Sequence, residues 1–118
     1  MELQLSHEEG YVLARTSGPI DDTARGLFRE YVHPLVRQKG TRVVVDLSES
    51  TYITSEGIGQ LVALVADANA NSSRVILAAA TPFVGTAIGV CKLDRFFEMA
   101  QSVSEALSLI DSKKPSGS

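Results

Sequence analysis

Val43-Val44-Val45-Asp46-Leu47-Ser48-Glu49-Ser50-Thr51-Tyr52-Ile53-Thr54-Ser55-Glu56-Gly57-Ile58-Gly59 reads as a buried strand, a short loop and the start of a helix. The valines at 43–45 are an unbroken β-branched run. A strand apolar on both faces belongs in the centre of a covered, mostly parallel sheet. Asp46 ends the run and is placed to serve as a hydrogen-bond hub for the loop. Ile58, Leu61, Val62, Leu64, Val65 and Ala68 then recur at helical spacing, and residues 69–73 close the helix. The helix is expected to begin at Ser55, with that hydroxyl capping a backbone N–H two or three residues on. A hydroxyl in this position also lies beside unsatisfied backbone donors and the positive end of the helix dipole, which favour an added phosphate.

Outward from this stretch, Leu3 and Leu5 alternate with polar residues, and Tyr11, Leu13 and Arg15 continue a period of two after Glu9-Gly10. That is the pattern of an antiparallel hairpin, ended by Ser17-Gly18-Pro19. Asp21 or Asp22 caps a first helix, with apolar positions Leu27, Phe28, Tyr31, Val32, Leu35 and Val36. Pro34 has no N–H and its ring opposes the carbonyl of Glu30, so a kink or an early end is expected there. On the other side, residues 75–80 form a second apolar strand. Thr81 caps a third helix that Pro82 opens, lined by Val84, Ala87, Ile88 and Cys91. Residues 93–97 are expected to form a short buried segment. Ser102 and Glu105, at capping-box spacing, begin a last helix with Ala106, Leu107, Leu109 and Ile110. The order β, β, α, β, α, β, α, α predicts an α/β domain with parallel strand pairs and right-handed crossovers. The domain is expected over residues 1–111, with 112–118 a polar, disordered tail.

With 118 residues, 44% of them hydrophobic, a single domain with one core is expected. No apolar run approaches the about 20 residues that span a bilayer, and the alternating start is not that of a secretory signal. A net charge of -3 without a basic cluster argues against nucleic-acid binding. The lone Cys91 excludes an internal disulfide and fits a reducing cytoplasm, and its apolar helical neighbours suggest a core or half-buried thiol. His7 and His33 lie in different elements with no acidic or cysteine cluster beside them, so no metal site is expected.

Residues 54–57, Thr-Ser-Glu-Gly, stand where the STAS family, bacterial anti-sigma-factor antagonists in particular, has Asp-Ser-Ser/Thr-Gly. The chain resembles that family from its first strand to about Ile110. The segment Asp46 to Gly59 is the specific part, supported by Val75–Ala80, Thr81-Pro82, residues 93–97 and Ser104-Glu105-Ala106-Leu107. The resemblance implies a small mixed sheet of four to five strands with helices mainly on one side. It implies a cytoplasmic, non-enzymatic antagonist acting by partner switching. The unmodified form would bind an anti-sigma factor that is also a serine kinase of the GHKL type. Phosphorylation of Ser55, or with less support Thr54, would release it, and a serine phosphatase would reset it. No cofactor belongs to this chain, because ATP belongs to the kinase.

Read from the residues alone, Ser55 is either a helix cap or a phosphoacceptor. A phosphate adds about −1.5 to −2 charge. A partner packed on the helix would then cover an unpaired charge at a cost of several kcal/mol, and about 3 kcal/mol is already more than a hundredfold in affinity. Thr54 in place of the family Asp removes a charge beside the acceptor, and Glu56 adds a permanent one. Gly57 and Gly59 serve either close packing or a partner's approach. Asp46, Thr81 and Phe83 are further candidates for the partner surface, alongside core and cap roles. Two other functions remain open: a constitutive scaffold or subunit of a regulatory or transport complex, and a small hydrolase using Ser55. Against the second stands the absence of a general base nearby in sequence.

Overall fold

One sheet runs through the molecule in the strand order β1-β2-β3-β4-β5. Its strands are β1 (Glu2–Glu8), β2 (Tyr11–Ser17), β3 (Arg42–Glu49), β4 (Arg74–Ala78) and β5 (Glu98–Ala100). The computed structural model describes residues 1–110, so Asp111 and the tail expected at 112–118 lie outside the described residues. β1 and β2 form an antiparallel hairpin and the later pairs are parallel. The helices are α1 (residues 24–36), α2 (Ser55–Ala70), α3 (Pro82–Val90) and α4 (Val103–Ile110).

The valine run takes the central strand because it can be covered on both faces. Val43, Val45 and Leu47 join the larger core with Phe28 and Val32 of α1, Leu61 and Leu64 of α2, and Val84 and Ile88 of α3. Val44 faces the other way, into a smaller core with Ile76, Ala78, Ala100 and, from α4, Ala106 and Ile110. Among the described residues three helices therefore cover one face and one covers the other, the mixed, mainly one-sided arrangement that the resemblance implied.

Several local expectations change. The inward face of β2 is Val12, Ala14 and Thr16, not Tyr11, Leu13 and Arg15. Leu3 and Leu5 stand opposite Thr16 and Ala14 in the hairpin register, so they share that face. Tyr11 and Leu13 pack instead against the smaller core. Both faces of β2 carry apolar residues, which is why alternation alone gave the wrong phase. Helix α1 does not end at Pro34. The backbone N–H of His33 bonds the carbonyl of Phe28, five residues back, in a π turn over Phe28–Val32, and the helix continues to Val36. A widened turn accommodates the residue that a regular ladder would reject. The second apolar strand stops at Ala78, because Ala79 takes a φ of +59°. Residues 93–97 are only partly buried: Phe97 is in the core while Phe96 is exposed. A fifth strand absent from the predicted element order follows them, and Cys91 is exposed just past the end of α3.

Candidate functional site

The loop that follows β2 and the loop that follows β3 run side by side. Gly18 N–H donates to the Glu49 carbonyl, Ile20 N–H to Tyr52 and Thr54 N–H to Ile20, each at 3.0 Å. Ile20 and Ile53 form an isolated parallel bridge. This backbone ladder fixes where α2 begins. Thr54 is the N-cap: it is extended, and its Oγ1 accepts from the Gly57 N–H at 3.2 Å. The same hydroxyl reaches the Ile20 carbonyl at 3.5 Å. The cap predicted for Ser55 thus belongs to its neighbour. Ser55 is the first helical residue and is exposed, as is Glu56 beside it. The physical reason lies in the ladder, which leaves Thr54 in the extended conformation a cap requires and Ser55 already in the helix.

The two glycines separate. A Cβ on Gly57 would lie 1.9 Å from the Ile20 carbonyl oxygen and 2.9 Å from Ile53 Cγ1, so its role is close packing of α2 on the neighbouring loop. A Cβ on Gly59 would meet nothing within 4 Å, and Gly59 is exposed.

A second set of bonds joins this turn to α3. The buried Ser50 hydroxyl lies 2.7 Å from Thr16 Oγ1, and the Ser50 carbonyl accepts from Thr81 Oγ1 at 3.0 Å. The Thr81 side chain therefore ties two loops together and does not cap α3, where it forms no capping hydrogen bond. Just outside, Tyr52 and Phe83 meet edge to face with ring centroids 5.9 Å apart, and both are exposed, at 44% and 56%. Tyr52 carried no signal in sequence beyond being an aromatic residue in a polar loop.

Asp46 lies inside β3 and is only 4% exposed. Its Oδ2 takes a hydrogen bond from Arg15 Nε at 3.2 Å and its Oδ1 one from the Ser48 N–H at 3.0 Å. Burial pushes its carboxyl up, but the bonds from Ser48 and Arg15 together hold it below the ordinary carboxylate value. Its partners lie on β2 and β3, so it braces the end of the sheet and not the loop that the sequence placed it beside. The candidates thus divide: Ser55, Glu56, Gly59 and Phe83 form a surface, while Thr54, Gly57, Thr81 and Asp46 form the frame beneath it.

Neither histidine is at this end. His7 is in β1, and His33, expected to lack an acidic neighbour, has Asp67 Oδ2 2.8 Å from its Nδ1. The α1–α2 packing brings together residues distant in sequence. The site therefore offers a reachable hydroxyl at a helix start without a histidine to activate it. Among the described residues, no group of three or more His, Cys, Asp or Glu is placed to hold a metal ion, and no helix is long and apolar enough to cross a membrane.

The STAS domain family model matches residues 2–106. Among solved structures, an anti-sigma factor antagonist from Mycobacterium paratuberculosis is similar at 20% identity, covering 94% of this chain and 94% of that one, with a TM-score of 0.82. The anti-sigma factor antagonist SpoIIAA in its unphosphorylated form is similar at 20% identity, covering 92% and 96%, with a TM-score of 0.77. Bacillus SpoIIAA in its phosphorylated form matches at 19% identity, covering 92% and 99%, with a TM-score of 0.72. At these identities the likeness establishes the shared fold.

Proposed function

Since this chain belongs to the STAS domain family, we propose that it is a cytoplasmic, non-enzymatic anti-sigma-factor antagonist that works by partner switching on Ser55. The unmodified chain binds an anti-sigma factor that is also a serine kinase of the GHKL type. ATP belongs to that kinase. Phosphorylation of Ser55 ends the complex, and a serine phosphatase restores it.

One observation carries this reading: the Ser55 hydroxyl is exposed at the first position of α2 while Thr54 does the capping. A phosphate on Ser55 leaves the cap intact and suits the helix dipole, so the modification changes the surface and not the fold. The same geometry disfavours Thr54 as acceptor. Its hydroxyl is half-buried against Gly57 and Ile20, so a phosphate there would remove the cap and crowd the Ile20 carbonyl.

The test is a paired pull-down from the source cell's extract with the wild-type chain and Ser55→Asp, both checked for the same thermal midpoint. Partner switching requires that the wild type retain a serine kinase and that the variant lose it. If both retain the same partner, a constitutive scaffold takes its place. Generic esterase activity abolished by Ser55→Ala would replace it with a hydrolase.

A further inference from the structure

β1 is the outermost strand of the sheet, and among the described residues no strand pairs with its outer edge. It is seven residues long and meets β2 in an unbroken register. Exposed edges are ordinarily blunted by shortness, a proline, lysines or a bulge. β5, at the other side of the sheet, is blunted by its three-residue length. β1, Glu2-Leu3-Gln4-Leu5-Ser6-His7-Glu8, has none of these devices and carries a glutamate at each end. The two-residue turn at Glu9-Gly10 makes Glu8 and Tyr11 a hydrogen-bonded pair. Alternation along an antiparallel ladder then turns the backbone N–H and C=O groups of Leu3, Leu5 and His7 to the outer edge.

The layer above this edge is α1, where Leu27, Tyr31 and Leu35 recur every four residues. Four residues overshoot one turn of a regular helix by about 40°. The π turn at Phe28–Val32 takes up part of that drift and keeps the three side chains on one flank. The other flank holds His33, and just past its end Arg37, against Asp67 of α2. Helix α2 connects β3 to β4, so the flank of α1 turned away from it lies toward β1. Tyr31 is 46% exposed, and Leu27 and Leu35 are half-buried, as are Leu3 and Leu5 on the sheet beneath.

We propose that this edge is covered by a second copy of the chain, β1 antiparallel to β1 about a two-fold axis through Gln4, which joins two five-stranded sheets into one. Charge selects the register. Centring the pair on Leu5 sets Glu2 opposite Glu8 twice, and like charges directly opposite are destabilising. Centring it on Leu3 or Ser6 shortens the pairing. Centring it on Gln4 sets Glu2 against Ser6 and Leu3 against Leu5, whose outward backbone groups then bond to one another. The axis is perpendicular to the sheet, so the α1 flanks of the two copies meet on one face, above Leu3 and Leu5 of both. An extended segment of another protein would satisfy the strand and leave the Tyr31 flank uncovered. The strand is about 24 Å long, and helix and sheet together are about 20 Å deep. That is about 500 Å² on each copy and about 1,000 Å² in all, the lower limit of a specific interface. The dimer is therefore weak and concentration-dependent. The Ser55 turn follows β3, two strands from this edge, so the pairing leaves it open and does not rest on partner switching.

The experiment is sedimentation velocity of the full chain from low to high micromolar concentration, where the wild type should pass from the mass of one chain to that of two. Gln4→Glu sets two carboxylates face to face between copies while facing Arg15 within its own chain. It should weaken the dimer at least tenfold without lowering the thermal midpoint of the dilute chain. Tyr31→Glu, on the exposed α1 flank, should do the same. Cross-linking in a Cys91→Ser background reads the register. Gln4→Cys should form a disulfide between copies under mild oxidation, because a non-hydrogen-bonded pair holds its Cα atoms about 4.5 Å apart. Ser6→Cys should not, because the two positions are then four residues apart along the ladder, about 14 Å. A chain that stays single at the highest concentration, with no cross-link through Gln4→Cys, overturns the proposal. A dimer that neither Gln4→Glu nor Tyr31→Glu weakens uses another face and also overturns it. So does cross-linking through Ser6→Cys in preference to Gln4→Cys, which places the axis elsewhere.

Discussion

At its N-terminal end α2 is held by backbone: Thr54 N–H bonds the Ile20 carbonyl, Gly57 lies against that same peptide, and the cap is a neutral hydroxyl. At its C-terminal end it is held by charge. Asp67 Oδ2 takes contacts from His33 of α1 at 2.8 Å and from Arg37, just past the end of α1, at 2.9 Å, and Oδ1 accepts from Asn71 at 3.2 Å. The two ends lie about 18 Å apart along the helix. The contrast shows how a surface is made editable. Where backbone fixes position, the side chains of Ser55 and Glu56 are free of structural duty. Where side chains do the fixing, altering them alters the fold.

The sharpest way to break the contrast is to disturb the backbone end. Gly57→Ala drives a methyl into the Ile20 carbonyl and should cost about 3 kcal/mol in urea unfolding, since neither peptide can withdraw without breaking the ladder. An unchanged midpoint would mean that the loops yield independently. At the charged end, Asp67→Ala should cost about 2 kcal/mol at neutral pH. That cost depends on acidity. The His33 hydrogen bond, then Arg37, holds the Asp67 carboxyl below its ordinary value. A lowered folded value stabilises above the unfolded one, near about pH 4, and is lost as pH falls through the folded value. The difference between wild type and Asp67→Ala should therefore shrink on going from pH 7 to pH 3. Removing the cap by Thr54→Ala should cost about 1 kcal/mol. Ser55→Ala should change stability by less than about 0.5 kcal/mol. If Ser55→Ala cost as much as Thr54→Ala, the assignment of the cap to Thr54 would be wrong.

How much of this was legible in the sequence follows the range of the interactions concerned. Three valines, then apolar residues at helical spacing, announce a central strand and α2 because the signal lies within the segment itself. β5 is three residues, Glu98-Met99-Ala100, too short to show a period. It exists as a strand only because β4 runs beside it. The choice between Thr54 and Ser55 as cap could not be read from two adjacent hydroxyl residues, since the extended conformation of Thr54 is set by Ile20, 34 residues away. The partnership of His33 with Asp67 depends on α1 and α2 lying together, and nothing local encodes it. Cys91 continued the apolar stripe of α3 by counting, but the helix ends at Val90 and Lys92 turns the chain with a φ of +58°, leaving the thiol outside.

Arg74 stands buried at the start of β4, its guanidinium paired with the Glu98 carboxylate through Nε at 2.8 Å and through Nη2, while Nη1 donates to the Leu109 carbonyl at 2.8 Å. The strand it meets is short and the helix it holds is the only one on that face among the described residues, so a single cation ties β5 and α4 into one cooperative unit. Amide exchange in β5 and α4 should therefore proceed by a shared opening rather than by separate fraying, with Arg74 as the latch whose release frees both.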